Sequence, residues 1–273
     1  NLGYAYDNRG LVVSQTGTFS SKSLPSASIG ENSFDDNQRQ TRYNGQTLTY
    51  DANGNLLTYE GRVLEWNSRN ELVRVSEAGE VVAEYKYDGL GRRVTKAEKG
   101  VVTSYLYDGL TAVQETRGGA RNPVFTGLGV DERFARNAGG ERAYFLTDHL
   151  GSTIALSSAS GDLLVAYDAD PYGGSSSTQG YDNPYRYTGR ELDENGLYYY
   201  RARYYHSGMG RFISEDPIGL RGGVNMYAYV SGNPVSAIDP LGLRNVHKTA
   251  VAVGNAVNAG RLFSVGTLRV AAG

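Results

Sequence analysis

Hydrophobic and polar residues alternate along much of this chain with the two-residue period of a half-buried strand. The clearest case is Val81-Val82-Ala83-Glu84-Tyr85-Lys86-Tyr87, which resumes beyond a short turn as Arg92-Arg93-Val94-Thr95-Lys96. A period of two sends successive side chains to opposite faces, so each segment offers one face to a core and one to water. Few windows carry the 3.6-residue period of a helix. The pattern predicts an all-β chain.

The turns between strands repeat as well. A Tyr-Asp dipeptide followed by Gly occurs as Tyr6-Asp7-Asn8-Arg9-Gly10, Tyr50-Asp51-Ala52-Asn53-Gly54 and Tyr87-Asp88-Gly89-Leu90-Gly91. Tyr107-Asp108-Gly109 and Tyr167-Asp168 are weaker copies, and Trp66-Asn67 is a degenerate one. Starts at 50, 66, 87 and 107 are 16, 21 and 20 residues apart, a length that suits two short strands and their turns. Asp accepts hydrogen bonds from backbone N–H groups ahead of it, and Gly supplies a positive φ. Each unit therefore reads as strand, turn, strand, with Tyr at equivalent positions stacking as a ladder across strands. The Ser- and Gly-rich stretches 14–33 and 173–180 read as loops.

Composition narrows the possibilities. The chain has 273 residues, enough for a large single domain or one domain with the start of another. Hydrophobic content is a modest 40 %, but 22 Tyr add burial capacity through rings whose hydroxyls need partners. The 36 Gly call for many turns, and only 7 Pro argues against disorder. A net charge of −2 provides no whole-chain field for nucleic acid or anionic lipid. Cys is absent, which excludes disulfides and a thiol nucleophile and fits an exported protein and chance omission equally. No stretch reaches the roughly 18 apolar residues of a membrane-spanning helix. Asn1-Leu2-Gly3 does not begin a signal peptide, and without an initiating Met the chain reads as a piece of a longer polypeptide.

Candidate chemistry gathers near the C-terminus. Asp216-Pro217-Ile218-Gly219-Leu220 and Asp239-Pro240-Leu241-Gly242-Leu243 are two copies of one pentapeptide, their carboxylates 23 positions apart. After the second copy the Tyr- and Gly-rich texture stops, and a basic segment begins at Arg244. A repeated acid motif at a compositional boundary points to a place where the chain is processed. Two neighbouring carboxylates cannot both ionise cheaply, so one keeps a proton and polarises a carbonyl while the other activates water. Pro240 restricts φ and Gly242 admits a sharp bend, so the following peptide can fold back onto the Asp239 carboxylate. Asp-Pro-x-Gly is also a good turn sequence, so Asp216 could simply cap a hairpin.

Other constellations are weaker. His149, His206 and His247 lack metal-ligand spacing, so neither metal nor other cofactor is expected. The Tyr/Arg run at 198–205 has the composition of a single-strand nucleic-acid platform, but it reads as packing, and no nucleic acid is expected on this segment. Gly89-x-Gly91 and Gly222-Gly223 lack the third glycine and strand–helix context of a phosphate loop and read as turns.

The chain resembles the RHS/YD-repeat family, in particular its C-terminal RHS core. The resemblance is diffuse over the Tyr-Asp repeats and specific from Tyr185 onward. It rests on Gly196-Leu197-Tyr198-Tyr199-Tyr200-Arg201-Ala202-Arg203-Tyr204-Tyr205, Gly210-Arg211-Phe212-Ile213-Ser214, Asn225-x-Tyr227-Ala228-Tyr229, Asn233-Pro234 and the two Asp-Pro motifs. Asp148-His149-Leu150-Gly151-Ser152 is a further family-like segment. The resemblance implies a spiralling ribbon of antiparallel β-hairpins forming a hollow shell, or β-cocoon, around a variable C-terminal toxin. Such proteins include polymorphic toxins delivered by type VI or contact-dependent secretion and the C component of insecticidal toxin complexes, with teneurins more distant.

On that basis residues 1–184 are the repeat shell, 185–243 a self-cleaving plug segment, and 244–273 the start of the toxin region. The chain is shorter than a complete shell requires, and 30 residues beyond the cut are too few for most folded toxins. The resemblance carries the catalytic pair onto Asp216 and Asp239, an essential arginine onto Arg203, and the cut onto Leu243–Arg244. Arg203 has a structural alternative, a cation–π stack on Tyr199 or Tyr205. Partners implied are the chain's own toxin domain, a secretion-machinery protein, a chaperone and an immunity protein, with delivery outside the producing cell. The competing function is a non-catalytic scaffold that binds glycans or a cell-surface partner.

Overall fold

The structure, a computed structural model, describes residues 3–6, 12–17, 30–178 and 180–247. Among them, fourteen strands from Thr49–Tyr50 to Ser175–Ser177 form one antiparallel meander, each strand paired with its sequence neighbours. No α-helix is present among the described residues, only three short 3₁₀ turns. The strands Glu80–Tyr87 and Arg93–Glu98 coincide with the alternation read above. Alanine and tyrosine at 83 and 85 point into the core, whereas Glu84 and Lys86 face water.

Each full Tyr-Asp repeat in the described sheet ends in one local device. The Asp51 Oδ1 accepts the N–H groups of Asn53 and Asn55, and the Asp88 Oδ1 those of Leu90 and Arg92. Asn67 does the same for Arg69 and Glu71 in the degenerate copy, and Asp148 for Leu150 and Ser152. Donors two and four residues ahead are satisfied by a side chain that the turn itself holds in place. The weaker copies differ: Asp108 closes a strand paired with Thr111, and Asp168 lies within the strand Leu163–Ala169, where Asp170 caps the turn instead.

The repeat aromatics do not form the expected ladder. Strand register shifts at Tyr50, Trp66, Tyr87 and Tyr107, placing a bulge beside each ring. Beside the bulge, Trp66 donates to the Leu56 carbonyl at 2.8 Å, Tyr87 to Leu72 at 2.7 Å and Tyr107 to Arg93 at 2.8 Å. Each tip thus satisfies the first carbonyl of the preceding strand. The rings meet a different partner: Tyr50 packs against Tyr227, and Tyr87 against Tyr199.

Those partners belong to residues 185–243, which lie across one face of the meander. Four short strands, Glu191–Leu192, Leu197–Tyr200, Arg203–His206 and Arg211–Phe212, make a second sheet. Its two central strands are buried on both faces, because each face has a core of its own. Leu197, Tyr199 and Tyr204 pack with Leu56, Leu72, Val75 and Tyr85 of the large sheet. Tyr198, Tyr200 and Tyr205 form a second cluster with Tyr187, Phe212 and Tyr229. His206 is enclosed between the Tyr43 and Tyr59 rings, and burial lowers its pKa to about 4, so the ring is neutral and its Nδ1 accepts the Met209 N–H.

Two of the loop expectations need correction. Within 173–180, Ser175–Ser177 is an edge strand paired with Leu163–Ala169, because an edge strand needs only backbone partners on one side and small polar side chains suffice. Ser14 lies in the strand Val12–Thr16, paired with Gly3–Tyr6. Residues 18–29 lie outside the described residues, and of the expected toxin region, 244–273, only 244–247 is described.

Candidate active site

Residues 203, 216 and 239, far apart in sequence, meet at the edge of the second sheet. Arg203 opens the strand Arg203–His206 and faces the same side as Tyr205; it is buried. Its Nη2 lies 2.9 Å from Asp216 Oδ2 and 3.3 Å from Asp239 Oδ2, so one nitrogen bridges the two carboxylates. Nη1 donates to the Met226 carbonyl at 2.9 Å and Nε to the Gly242 carbonyl at 2.5 Å. The guanidinium is stacked 3.7 Å over the Phe212 ring, in place of the Tyr199 or Tyr205 contact expected above. Tyr199 lies on the other face of the sheet, and Phe212 is on the neighbouring strand. Pairing and stacking coexist because they use the edge and the plane of one planar group.

Each aspartate divides its oxygens between two tasks. The Asp216 Oδ1 caps its own turn by accepting the Ile218 N–H at 3.0 Å, while Oδ2 meets Arg203. Asp216 therefore caps its own turn and also joins the Arg203–Asp239 cluster. The Asp239 Oδ1 accepts the N–H groups of Leu243 and Arg244, both at 3.0 Å. The chain does fold back onto Asp239, and the nitrogen of the Leu243–Arg244 peptide touches its carboxylate. The bend depends on Gly242, whose φ is 67° and whose missing side chain leaves room for the Tyr200 carbonyl.

Asp216 also approaches that peptide. A Cβ placed on Gly222 would overlap Asp216 Oδ2 and stand 3.2 Å from the Leu243 carbonyl oxygen. Carboxyl and carbonyl thus face one small gap. Burial raises the Asp216 carboxyl above its ordinary pKa, and the Asp239 charge adds to this, opposed by the Ile218 N–H and Arg203. The carboxyl that borders this gap thus has its protonated form favoured relative to water. Arg203, Asp216, Gly222, Asp239, Leu243 and Arg244 line a cleft of about 520 Å³.

Residues that sequence reading did not single out anchor the loop. Arg201 donates to the Pro240 carbonyl and to Asp131, at 3.0 Å through Nη1 and 2.8 Å through Nη2. Asp131 lies between strands of the large sheet and also receives Arg190 at 2.6 Å. Burial alone would raise the Asp131 carboxyl, but Arg190, Arg201 and Arg133 outweigh it and hold the group well below the carboxylate range. The sequence signal was an acid in the Gly-rich turn Gly127-Leu128-Gly129-Val130-Asp131, too generic to identify a clamp. Among the described residues no cluster of three or more His, Asp or Glu is arranged to hold a metal ion.

A hairpin meander covered by a tyrosine-rich C-terminal sheet defines a YD-type β shell. The chain belongs to the teneurin YD-shell family, whose model matches residues 2–221. Asp239, Leu243 and Arg244 lie beyond that match. The chain is similar to the tRNA3(Ser)-specific nuclease WapA of Bacillus spizizenii, with 35 % identity over 77 % of this chain and 10 % of the relative. It is 27 % identical to the double-stranded DNA deaminase toxin A of Burkholderia cenocepacia, over 88 % of this chain and 20 % of that protein. The crystal structure of TcdB2-TccC3-Cdc42 is similar with a TM-score of 0.65 and 25 % identity, over 89 % of this chain and 13 % of that one. The chain spans about a tenth of the length of the WapA relatives it matches. RHS/YD-repeat membership and the all-β shell fold expected from sequence therefore stand.

Proposed function

We propose that this chain is the closing part of a β shell that encloses a C-terminal toxin and releases it by one intramolecular hydrolysis after Leu243. The observation that supports the reading is that Asp239 contacts the Leu243–Arg244 peptide and Asp216 borders the gap beside its carbonyl. Asp239 holds the Arg244 nitrogen, and Asp216 faces the Leu243 carbonyl oxygen. The relatives are named as nucleases and toxins, which supports a toxic cargo. In this reading residues 1–184 are the shell, 185–243 the cleaving plug and 244–273 the beginning of the cargo. The cargo is the first partner. A secretion machine, a chaperone and an immunity protein are the others, and the assembly is delivered outside the producing cell.

The chemistry follows from the contacts. Protonated Asp216 hydrogen-bonds the Leu243 carbonyl and stabilises the oxyanion that forms there. Asp239, which meets Arg203 and accepts two peptide N–H groups, takes a proton from the attacking water. The water oxygen bonds to the Leu243 carbonyl carbon. The proton then passes to the Arg244 nitrogen, the C–N bond breaks, and a Leu243 carboxyl and an Arg244 amine result. Arg203 holds both acids and, through the Gly242 carbonyl, the loop bearing the bond. The reaction occurs once per chain because the substrate is covalently part of the site.

Intact-mass measurement of freshly folded protein tests this. The expected masses are those of residues 1–243 and 244–273, and Asp216→Asn and Asp239→Asn should each give one full-length mass with an unchanged fold. Wild-type protein that folds but keeps its full mass would exclude self-cleavage and favour a binding scaffold. A cut at Asp216–Pro217 or Asp239–Pro240 would instead mark ordinary acid lability.

A further inference from the structure

The Gly222-Gly223 pair reads as an ordinary turn in the sequence, yet its first member lies against the reacting groups. Gly222 follows the 3₁₀ turn Gly219–Arg221 and has φ −82° and ψ −17°, a conformation that any residue adopts. Backbone freedom therefore gives no reason for glycine at this position. The reason is space: its absent Cβ would overlap Asp216 Oδ2, lie 2.9 Å from Asp216 Cγ and stand 3.2 Å from the Leu243 carbonyl oxygen. Gly223 is the opposite case, with φ 141° and nothing within 4 Å of its absent Cβ.

We propose that Gly222 is a positioning residue for self-cleavage, leaving open the gap across which the protonated Asp216 carboxyl hydrogen-bonds the Leu243 carbonyl oxygen. The inference rests on the cleavage reading above and deepens it. A methyl group in the gap pushes the carboxyl aside without removing it and separates donor from acceptor. The hydrogen bond that would hold the developing oxyanion as the water oxygen bonds to carbon is then lost. Displacements of about 1 Å in a reacting group can cost on the order of a hundredfold in rate, and that is the size of effect expected.

The test follows cleavage by intact mass during refolding of the full chain from denaturant, over pH 5 to 9, for wild type, Gly222→Ala and Gly223→Ala. Gly222→Ala should slow cleavage about a hundredfold and move the alkaline limb of the rate profile upward, since the methyl excludes water from Asp216. Gly223→Ala, strained but unobstructed, should slow it far less. Equal effects from the two would make loop stiffness the cause and overturn the proposal, as would wild-type cleavage by Gly222→Ala.

Thermal unfolding supplies a readout that does not depend on cleavage or on Gly222→Ala folding well. Asp216→Ala removes the atoms that the methyl would strike. Adding Gly222→Ala to Asp216→Ala should therefore lower Tm much less than adding it to uncleaved Asp239→Asn. Equal losses in both backgrounds would show that the methyl does not meet Asp216, and the assignment would fail. Should wild type itself not cleave after Leu243, the cleavage reading fails. Should wild type cleave and only the glycine results disagree, the role of Gly222 alone fails.

Discussion

Asp216 meets the Arg203 guanidinium and borders the Gly222 gap that the Leu243 carbonyl oxygen also borders. Its raised pKa means that the folded protein holds this proton more tightly than the unfolded chain. The stabilisation from that proton is complete below the unfolded value near 3.9 and is lost as pH rises through the higher folded value. Asn, always neutral and nearly the same shape, should match Asp in strong acid and be the better residue at neutral pH. In the uncleaved Asp239→Asn background, adding Asp216→Asn should therefore raise Tm at pH 7 and leave it unchanged at pH 3. A lower Tm at pH 7 would show that the Arg203 pairing outweighs burial. The acids and Arg203 were legible through the signature around them. Gly222 was not, because in sequence it is one of many turn glycines.

At the scale of elements, the repeat is a turn capped by an acid, a bulge and an aromatic that reaches back one strand. The capping was legible because donor and acceptor lie within four residues of each other, so local chemistry decides it. The aromatic partner was not. A ladder needs strands in plain register, whereas a bulge at each ring displaces it, and the Tyr-rich second sheet supplies rings of its own. Tyr87 bonds the Leu72 carbonyl and the Tyr204 hydroxyl, so it stitches the two sheets together. Tyr87→Ala should cost about 3 kcal/mol, the low end of the range for removing an aromatic ring, because this ring is only partly buried. Tyr87→Phe, which keeps the ring, should cost about 1 kcal/mol. Asp88→Ala should also cost about 1 kcal/mol. Denaturant titration of the uncleaved Asp239→Asn protein measures all three, and a silent Tyr87→Ala would mean that the ring does not hold the sheets together.

At the scale of the whole molecule, a buried ionic network joins the meander to residues 185–243. Arg93 is fully buried, with Asp193 at 2.5 and 3.0 Å and Glu191 at 2.8 Å. Lys96 meets Glu98, Glu191 and Asp193. Tyr199 stacks on the Arg93 guanidinium with 4.3 Å to the ring centroid. Such a network is weak evidence of net stability, but removing one member strands the rest without water. Asp193→Ala should lower stability by about 3–5 kcal/mol in denaturant titration. A loss below about 1 kcal/mol, the range of exposed pairs, would mean that solvent reaches the network.

The sequence by itself determined what acts over a few residues: strand alternation, the capped turns, and the bend at Pro240-x-Gly242 that returns the chain to Asp239. It also marked, through family-like motifs, the two acids and the arginine that meet at the proposed site. Tertiary structure decided which residues face one another across long separations. Arg93 and Asp193 are 100 positions apart, and Tyr87 and Tyr204 are 117 apart. The same holds within the site, where Arg203 and Asp239 are 36 positions apart and Gly222 reaches Asp216 and Leu243 only after the second sheet has formed. Local patterns are settled by period and turn chemistry, which neighbours in the chain carry between them. Contacts of this range exist only once two sheets bury a common face, and no single segment encodes that geometry.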